Sequence, residues 1–445
     1  MLARASMPRP APAHAARALV FVAAITTHPA CTDPAQGAGT EADAGPSMGT
    51  AASSSADGTS GRDDATGSAT STADSTGAST HADSSSSDGG SEGPPAPVDC
   101  ASATLPAWLE GRATHEWFEI PNTADAGGAA IDAYSGFALR ERTAEIVIAA
   151  AGGHGDSADN RVVTLALGDD APSWTLRHAS STDTPVDVPY YPDGLPSARH
   201  VYQSAHVVDD LDRVFLVGAR FVYGSAVSFP TVDAFDLATN TWDPAGTWPD
   251  VPEGGSFGAV SLRTTGDVLT STLWRWRASD ASWSQPVGTT IDAPVRWPLA
   301  HDTTRNRLLT LQWGDGQGYD GPAIHATQVD LEAGVQSLVT LTPGDALTMF
   351  EAEAPTYAAM DYDPDNDRFL FYSGQGDAAG RVYVVEASDG DTRDIDVLVQ
   401  GPGSITPPPT PGSGVNNRFR YVPGLCGFVL LADRASDLQF LRTAG

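Results

Sequence analysis

Lysine is absent from this chain: its 25 basic residues are all arginine, set against 56 acidic ones, for a formal charge of −31. Such a charge repels phosphate, which excludes nucleic acid as a partner and excludes binding to an anionic membrane surface. The missing lysine reads as codon bias of a GC-rich coding sequence, so it is not taken as a sign of guanidinium chemistry. Cysteine is nearly as scarce. Cys31, Cys100 and Cys426 lie far apart and form neither the close pairs of a zinc site nor a redox C-x-x-C. Their remaining uses are lipidation, one disulfide, or free thiols. Catalytic signatures are missing too: no G-x-S-x-G surrounds a serine, no H-E-x-x-H occurs, and no glycine loop opens a helix to cradle phosphate. No cofactor or metal is implied.

Long apolar runs are also lacking. The one notable stretch, "ALVFVAAI" at 18–25, is too short to span a bilayer and follows Arg4, Arg9 and Arg17. Residues 1–30 therefore read as an export signal peptide. Cys31 falls where a bacterial lipoprotein carries its lipid. Ala30 suits the preceding position, whereas His28 and Pro29 depart from the usual pattern, which keeps simple cleavage and secretion open. Residues 31–99 are almost wholly Ala, Gly, Ser, Thr, Asp and Pro, too poor in large apolar groups to offset the entropy of ordering. The expected layout is an outer-membrane or cell-surface lipoprotein, touching the membrane only through Cys31, with a disordered tether leading to a folded domain at 100–445.

That domain has no long segment at helical spacing. Short β-branched and aromatic runs alternate with Gly, Pro, Asp and Asn, which predicts an all-β fold. A repeat is visible in "HVYQSAHVVDDLDRVFLVGA" (200–219), "RWPLAHDTTRNRLLTLQWGD" (296–315), "PTYAAMDYDPDNDRFLFYSG" (355–374) and "NRFRYVPGLCGFVLLAD" (417–433). Each copy is a strand, a polar turn and a second apolar strand. In the third copy the turn carries Asp361, Asp363, Asp365 and Asp367. A calcium loop would need glycine and an acid where Asn366 and Tyr372 stand, so the run reads as a hairpin turn. Later strands often bear tryptophan, as in "TVDAFDLATNTWDP" (231–244) and "LWRWRASDASWSQ" (273–285).

A strand, then Gly-Gly, an apolar strand with Asp, a polar turn and Trp resembles the kelch repeat. The clearest copies are "IVIAAAGGH" (146–154) with Trp174, and "RVFLVGA" (213–219) with "DLATNTW" (236–242). The resemblance covers about 115–445 and implies a β-propeller of six four-stranded blades, at roughly 128–178, 199–249, 255–290, 296–342, 355–400 and 416–445. The sixth has three strands of its own, and "HEWFEIP" (115–121) would complete it.

In such a meander one rim gathers the starts of first strands and the loops joining second to third strands. Arg199, His200, Arg296, Trp297, Tyr357, Asn417, Arg418 and Arg420 fall at strand starts, with His154 and Asp156 from "GGHGDSADN". Guanidinium groups match a carboxylate in two-point fashion, which suggests an anion site. The structural alternative is that these arginines bind backbone carbonyls or neighbouring blades. The leading expectation is a monomeric, non-catalytic module binding a carbohydrate or protein ligand at this mouth. An enzyme on an acidic sugar, an epimerase or lyase, is the alternative. Galactose oxidase, a copper radical enzyme, is built on a kelch propeller, but Cys426 would lie on the rim opposite His154 and His200, which argues against that chemistry. Because closure brings the chain's two ends into one blade, the resemblance also makes a Cys100–Cys426 disulfide feasible, against two free buried thiols.

Overall fold

The computed structural model describes residues 100–444, apart from 101–102, 132–133, 225, 253–257, 264, 286–297, 316–319, 354–356, 402 and 404. Residues 1–30, read above as a signal peptide, Cys31, the segment 31–99 read as a tether, Arg296 and Trp297 lie outside the described residues. Six sheets, antiparallel except where Thr392–Arg393 adds in parallel to Val335–Leu341, succeed one another along the chain as the blades of a β-propeller. Blade 1 comprises Ala138–Arg140, Glu145–Ala149, Val162–Ala166 and Thr175–His178. Blade 2 comprises Ala205–Val208, Arg213–Val222, Phe229–Asp236 and Thr241–Trp242; blade 3, Ala259–Leu262, Asp267–Thr270, Arg275–Arg277 and Ser282–Ser284. Blade 4 is built from Leu299–Asp302, Arg307–Asp315, Asp320–Asp330 and Val335–Leu341, and blade 5 from Ala359–Asp363, Arg368–Tyr372, Val382–Glu386 and Ile395–Val399.

Blade 6 has Phe419–Val422, Gly427–Leu430 and Gln439–Arg442, and its fourth strand is Trp117–Glu119 from the other end of the described chain. Trp117 pairs with Leu441 and Glu119 with Gln439. The ring thus closes through backbone hydrogen bonds between the two ends of the described chain, with Trp117–Glu119 as the outermost strand of blade 6. Trp117 also reaches the neighbouring blade, its Nε1 donating to Gly380 O at 2.8 Å.

Inner strands are buried on both faces because a blade lies against each side of them; Glu145–Ala149 is buried at every position. Outer strands alternate instead, as in Val335–Leu341, where Leu338 and Thr340 are exposed and Val339 and Leu341 are buried. Aromatic rings fill the seams: Phe215 of blade 2 sits 4.6 Å from Trp276 of blade 3, and Tyr372 of blade 5 sits 5.6 Å from Phe419 of blade 6. Burying each such ring contributes about 1.5–3 kcal/mol.

The turn between first and second strands is the same device six times. It ends on a residue with left-handed backbone: Ala144, Asp212, Gly266, Asn306, Asp367 and Cys426, with φ between 50° and 70°. Asn, Asp and Gly reach this region most easily, which is why the loops read "DDLD", "TTRN" and "PDND". The aspartate run is therefore a hairpin turn, and its carboxylates have protein partners. Asp363 accepts Asn366 Nδ2 at 2.9 Å, Asp367 accepts Arg305 at 2.6 Å, and Asp365 accepts the Tyr421 hydroxyl.

Two elements depart from the sequence expectation. A nine-residue helix, Asp345–Glu353, connects blades 4 and 5; Phe350 is its buried anchor, 4.6 Å from Phe371, and Tyr383 donates to Glu353 at 2.7 Å. Its single buried apolar contact explains why no helical stripe was legible. The pair Arg199–His200 does not begin the first strand of blade 2. It forms an extra short strand against Arg220 and Val222, and the first strand proper starts at Ala205.

Candidate functional site

Counting back ten residues from the left-handed turn residues of blades 1, 2, 5 and 6 lands on Tyr134, Tyr202, Tyr357 and Asn416. All four are themselves left-handed, with φ of 50°, 48°, 51° and 52°. They sit where each first strand enters from the opposite rim, and they link neighbouring blades. Tyr202 N–H donates to Tyr134 O, and Asn416 N–H to Tyr357 O, both at 2.8 Å. Tyr134 meets Tyr357 edge-on at 5.0 Å although blade 6 intervenes, so their rings reach across the mouth of the channel.

His154 and Phe221 join this cluster, again with left-handed backbone, φ 42° and 44°. His154 is clamped to the blade 2 rim: its N–H donates to Phe221 O at 2.8 Å and its carbonyl accepts Gly224 N–H at 2.6 Å. Its ring lies 5.6 Å from that of His200 and 6.0 Å from that of Phe221. The approach depends on the second glycine of the Gly-Gly pair. Gly153 has φ +108°, and a Cβ there would stand 2.5 Å from the backbone of Arg199 and His200. Gly153→Ala should cost about 1–3 kcal/mol in denaturant unfolding and displace His154 from His200. A crystal structure of that variant with both rings in place would refute the role.

At the centre is a hydrogen-bonded chain. His200, 1% exposed, holds Asp156 through Nε2 at 2.8 Å and the Tyr202 hydroxyl through Nδ1 at 3.3 Å. The Asp156 side chain is 48% exposed and connects the chain to solvent. Burial pushes the His200 pKa below its ordinary value despite the carboxylate beside it. The neutral ring then donates from Nε2 to Asp156 and accepts the Tyr202 O–H at Nδ1. Burial, with Tyr357 and Tyr134 nearby, raises the Tyr202 pKa, while Arg220 opposes that rise. Arg220 is paired to His200 in the extra strand, and its own pKa is lowered by desolvation.

The remaining sequence-predicted residues are distributed differently. Arg199 is fully buried, with Nη1 on Asp233 at 2.7 Å and Nε on Ser197 O at 3.1 Å. Arg418, also fully buried, binds the carbonyls of Val415 and Gly414. Asn417 donates to Phe137 O across the blade 6–1 seam at 3.3 Å. Arg420 lies within the strand Phe419–Val422, four residues beyond Asn416. There it joins a set of charges that crosses the channel: Asp361 of blade 5 accepts Arg420 Nε at 2.8 Å and Arg263 Nη2 at 2.9 Å, and Arg263 Nε reaches Glu141 of blade 1 at 2.5 Å. These arginines hold blades together, whereas His154, Asp156, His200 and Tyr357 meet at the mouth. Tyr134, Tyr202, Phe221 and Arg220 complete the cluster and went unrecognised in the sequence. For the tyrosines the signal was available, since they occupy one position in the repeat.

Among the described residues, the group of three Cys/His/Asp/Glu donors within ligating reach of one another is Cys100, Asp365 and Cys426, and its two sulfurs are bonded to each other. They lie on the rim away from the mouth.

No protein-family model matches the chain, and no curated protein matches it in sequence. Among solved structures it is similar to "Structure of YjhT", with a TM-score of 0.43 at 10% identity over 72% of this chain and 95% of that one. It is similar also to "Structure of U3-55K", with 0.40 at 9% over 75% and 100%. These likenesses carry no argument about activity. The class is fixed by the topology: a six-bladed β-propeller.

Proposed function

We propose that the protein is a kelch-type propeller, carried on a tether from a lipid-bearing Cys31, that binds a carbohydrate at the mouth lined by Tyr134, His154, His200, Tyr202, Phe221 and Tyr357. The observation that carries this reading is the left-handed backbone shared by five of these six residues. A non-glycine residue held there costs about 1–3 kcal/mol and persists where the surrounding structure enforces it, commonly at binding sites. Here it gathers aromatic rings around a few polar groups, a composition suited to the CH-rich faces and hydroxyls of a sugar ring. Peptide ligands would favour an open sheet edge or an apolar groove, and the mouth is neither.

Titration calorimetry against neutral and acidic oligosaccharides tests the reading. Tyr357→Ala, which removes a part-exposed ring from the rim, should weaken binding about tenfold or more, with little change in melting temperature. Unchanged affinity would place the ligand elsewhere.

A further inference from the structure

The outer edge of blade 4 is built unlike those of the other blades. Its strand Val335–Leu341 is seven residues long, whereas the outermost strands of the other blades run two to five. Shortness protects an edge against pairing with another chain, as do charges, prolines and bulges on it. The stretch Val335–Val339 has none of these. It reads "VQSLV", pairs in unbroken register with Asp320–Asp330, and exposes Leu338 at 69% and Val335 at 57%.

The far part of this edge already takes a strand. Thr340 N–H donates to Asp391 O at 2.7 Å and Thr342 N–H to Arg393 O at 2.9 Å, so Thr392–Arg393 adds in parallel beside Thr340 and Leu341. Those bonds fix the direction of the backbone groups. Alternate residues of a strand point their N–H and C=O to the same side, so those of Gln336 and Leu338 are aimed outward in line with those of Thr340. Among the described residues nothing pairs with them there. Val339 and Leu341 pack into the core and hold the edge in place.

The surroundings select the occupant. Asp330 and Glu332 belong to the hairpin that opens the strand, and Asp389, Asp391 and Asp394 belong to the blade 5 connection that ends the free edge. Arg307 lies 3.6 Å from Asp330 and 3.3 Å from Asp389, and Arg305 lies 3.5 Å from Asp389. Glu332, Asp391 and Asp394 are exposed and make no ion pair among the described residues. We propose that this edge binds an extended, basic segment of another protein as an added strand, its apolar side chains over Leu338 and Val335 and its cations on the carboxylates around them. Main-chain bonds to Gln336 and Leu338 give such a strand its affinity, and the flanking side chains give it specificity. A second copy of this chain suits the edge poorly, because it carries −31 overall and would bring like charges together. The inference is independent of the mouth, since this strand is on the outer wall of its blade.

The test is fluorescence anisotropy of the labelled peptide KVRIKVR with the full chain. Saturable binding is expected, weakening as salt is raised, and hydrogen exchange should show the amides of Gln336 and Leu338 gaining protection. The analogue KPRIKPR keeps the charge but lacks strand donors, and should bind about tenfold more weakly or worse. Leu338→Pro removes an outward N–H and should weaken KVRIKVR by about tenfold or more. Should that variant also melt early, Leu338→Lys decides: it keeps the backbone donor, sets a cation against the peptide and should give a comparable loss. Equal binding of KPRIKPR would reduce the effect to charge attraction and overturn strand addition. Affinity unchanged in the Leu338 variants, or no binding by the wild type, would overturn the site. A dimer in sedimentation that Leu338→Lys abolishes would give the edge to a second copy and overturn the basic partner.

Discussion

Asp361→Ala is expected to destabilise the propeller by about 3–5 kcal/mol, because it strands two buried guanidiniums at once. One carboxylate oxygen, Oδ2, accepts Arg420 Nε at 2.8 Å, Arg263 Nη2 at 2.9 Å and Tyr421 N–H at 3.0 Å. Asp361 therefore ties blade 5 to blade 6 beside it and to blade 3 across the channel, and Glu141 extends the set to blade 1. Burial pushes the Asp361 carboxyl up, and the two guanidiniums outweigh it, so its pKa lies below the usual carboxylate range. A depressed carboxylate pKa contributes stability that is fully present above the unfolded value of about 3.9 and is lost as pH falls through the folded value. Wild type and Asp361→Asn should thus differ most near neutral pH and converge in strong acid. Denaturant melts at pH 7 and near pH 3 check this. An equal gap at both would mean that the loss is packing, with no share from charge.

The channel is consequently two things along its length. One rim carries aromatic rings and the Tyr202–His200–Asp156 hydrogen-bonded chain, and four residues further along the sequence the first strands supply a set of charges that ties blades together. His206, four residues beyond Tyr202, belongs with them: its Nδ1 meets Ser261 Oγ at 2.8 Å, and burial, aided by Arg420, lowers its pKa to about 3.

Much of this was legible because a propeller writes its geometry as a repeat. Polar turns with Asp, Asn or Gly mark five of the six left-handed hairpin ends, blade 1 using Glu141–Ala144 instead, and apolar runs beside them mark strands sandwiched between blades. "HEWFEIP" could be assigned to blade 6 because that blade was one strand short. The site was harder to read. Arg199, Arg418 and Arg420 share a strand position that suggests a mouth, but a one- or two-residue change in depth or side-chain direction separates solvent from seam. The carboxylate partners of Arg199 and Arg420, Asp233 and Asp361, are distant in sequence, and the carbonyls that hold Arg418 belong to a local turn with no side-chain signature, so burial could not be foreseen. Tyr134 and Tyr202 were overlooked for the opposite reason: a tyrosine before an apolar strand reads as core, and only its left-handed backbone turns the ring toward the channel. The helix at 345–353 belongs to neither pattern, having one buried anchor.

Breaking the Cys100–Cys426 bond is the second large effect. The two sulfurs are bonded across a sequence separation of 326, and they lie beside the sheet seam where Trp117–Glu119 completes blade 6. Cys426 is the left-handed residue ending that blade's first turn and is fully buried. The bridge therefore fastens the chain upstream of the closing strand to the hairpin of the blade that strand completes. Without it, the ring is held at this point by the short Trp117–Glu119 pairing, the Trp117 contact to Gly380, and the packing of Trp108 against Phe440 at 5.3 Å. Loop entropy for so long a closed segment gives about 5–6 kcal/mol, and removal of native bridges typically costs about 2–5, so a loss near 5 kcal/mol is expected. Cys426→Ser, or reduction of the wild type, should lower the denaturant midpoint by a matching amount. Hydrogen exchange should locate the change, with the amides of 117–119 and 439–442 losing protection before those of blades 2 to 4, since the seam opens first. Thiol counting on denatured, unreduced protein is the direct control. Two free thiols besides Cys31, with stability unaffected by reductant, would show that sheet pairing and aromatic packing alone close the ring.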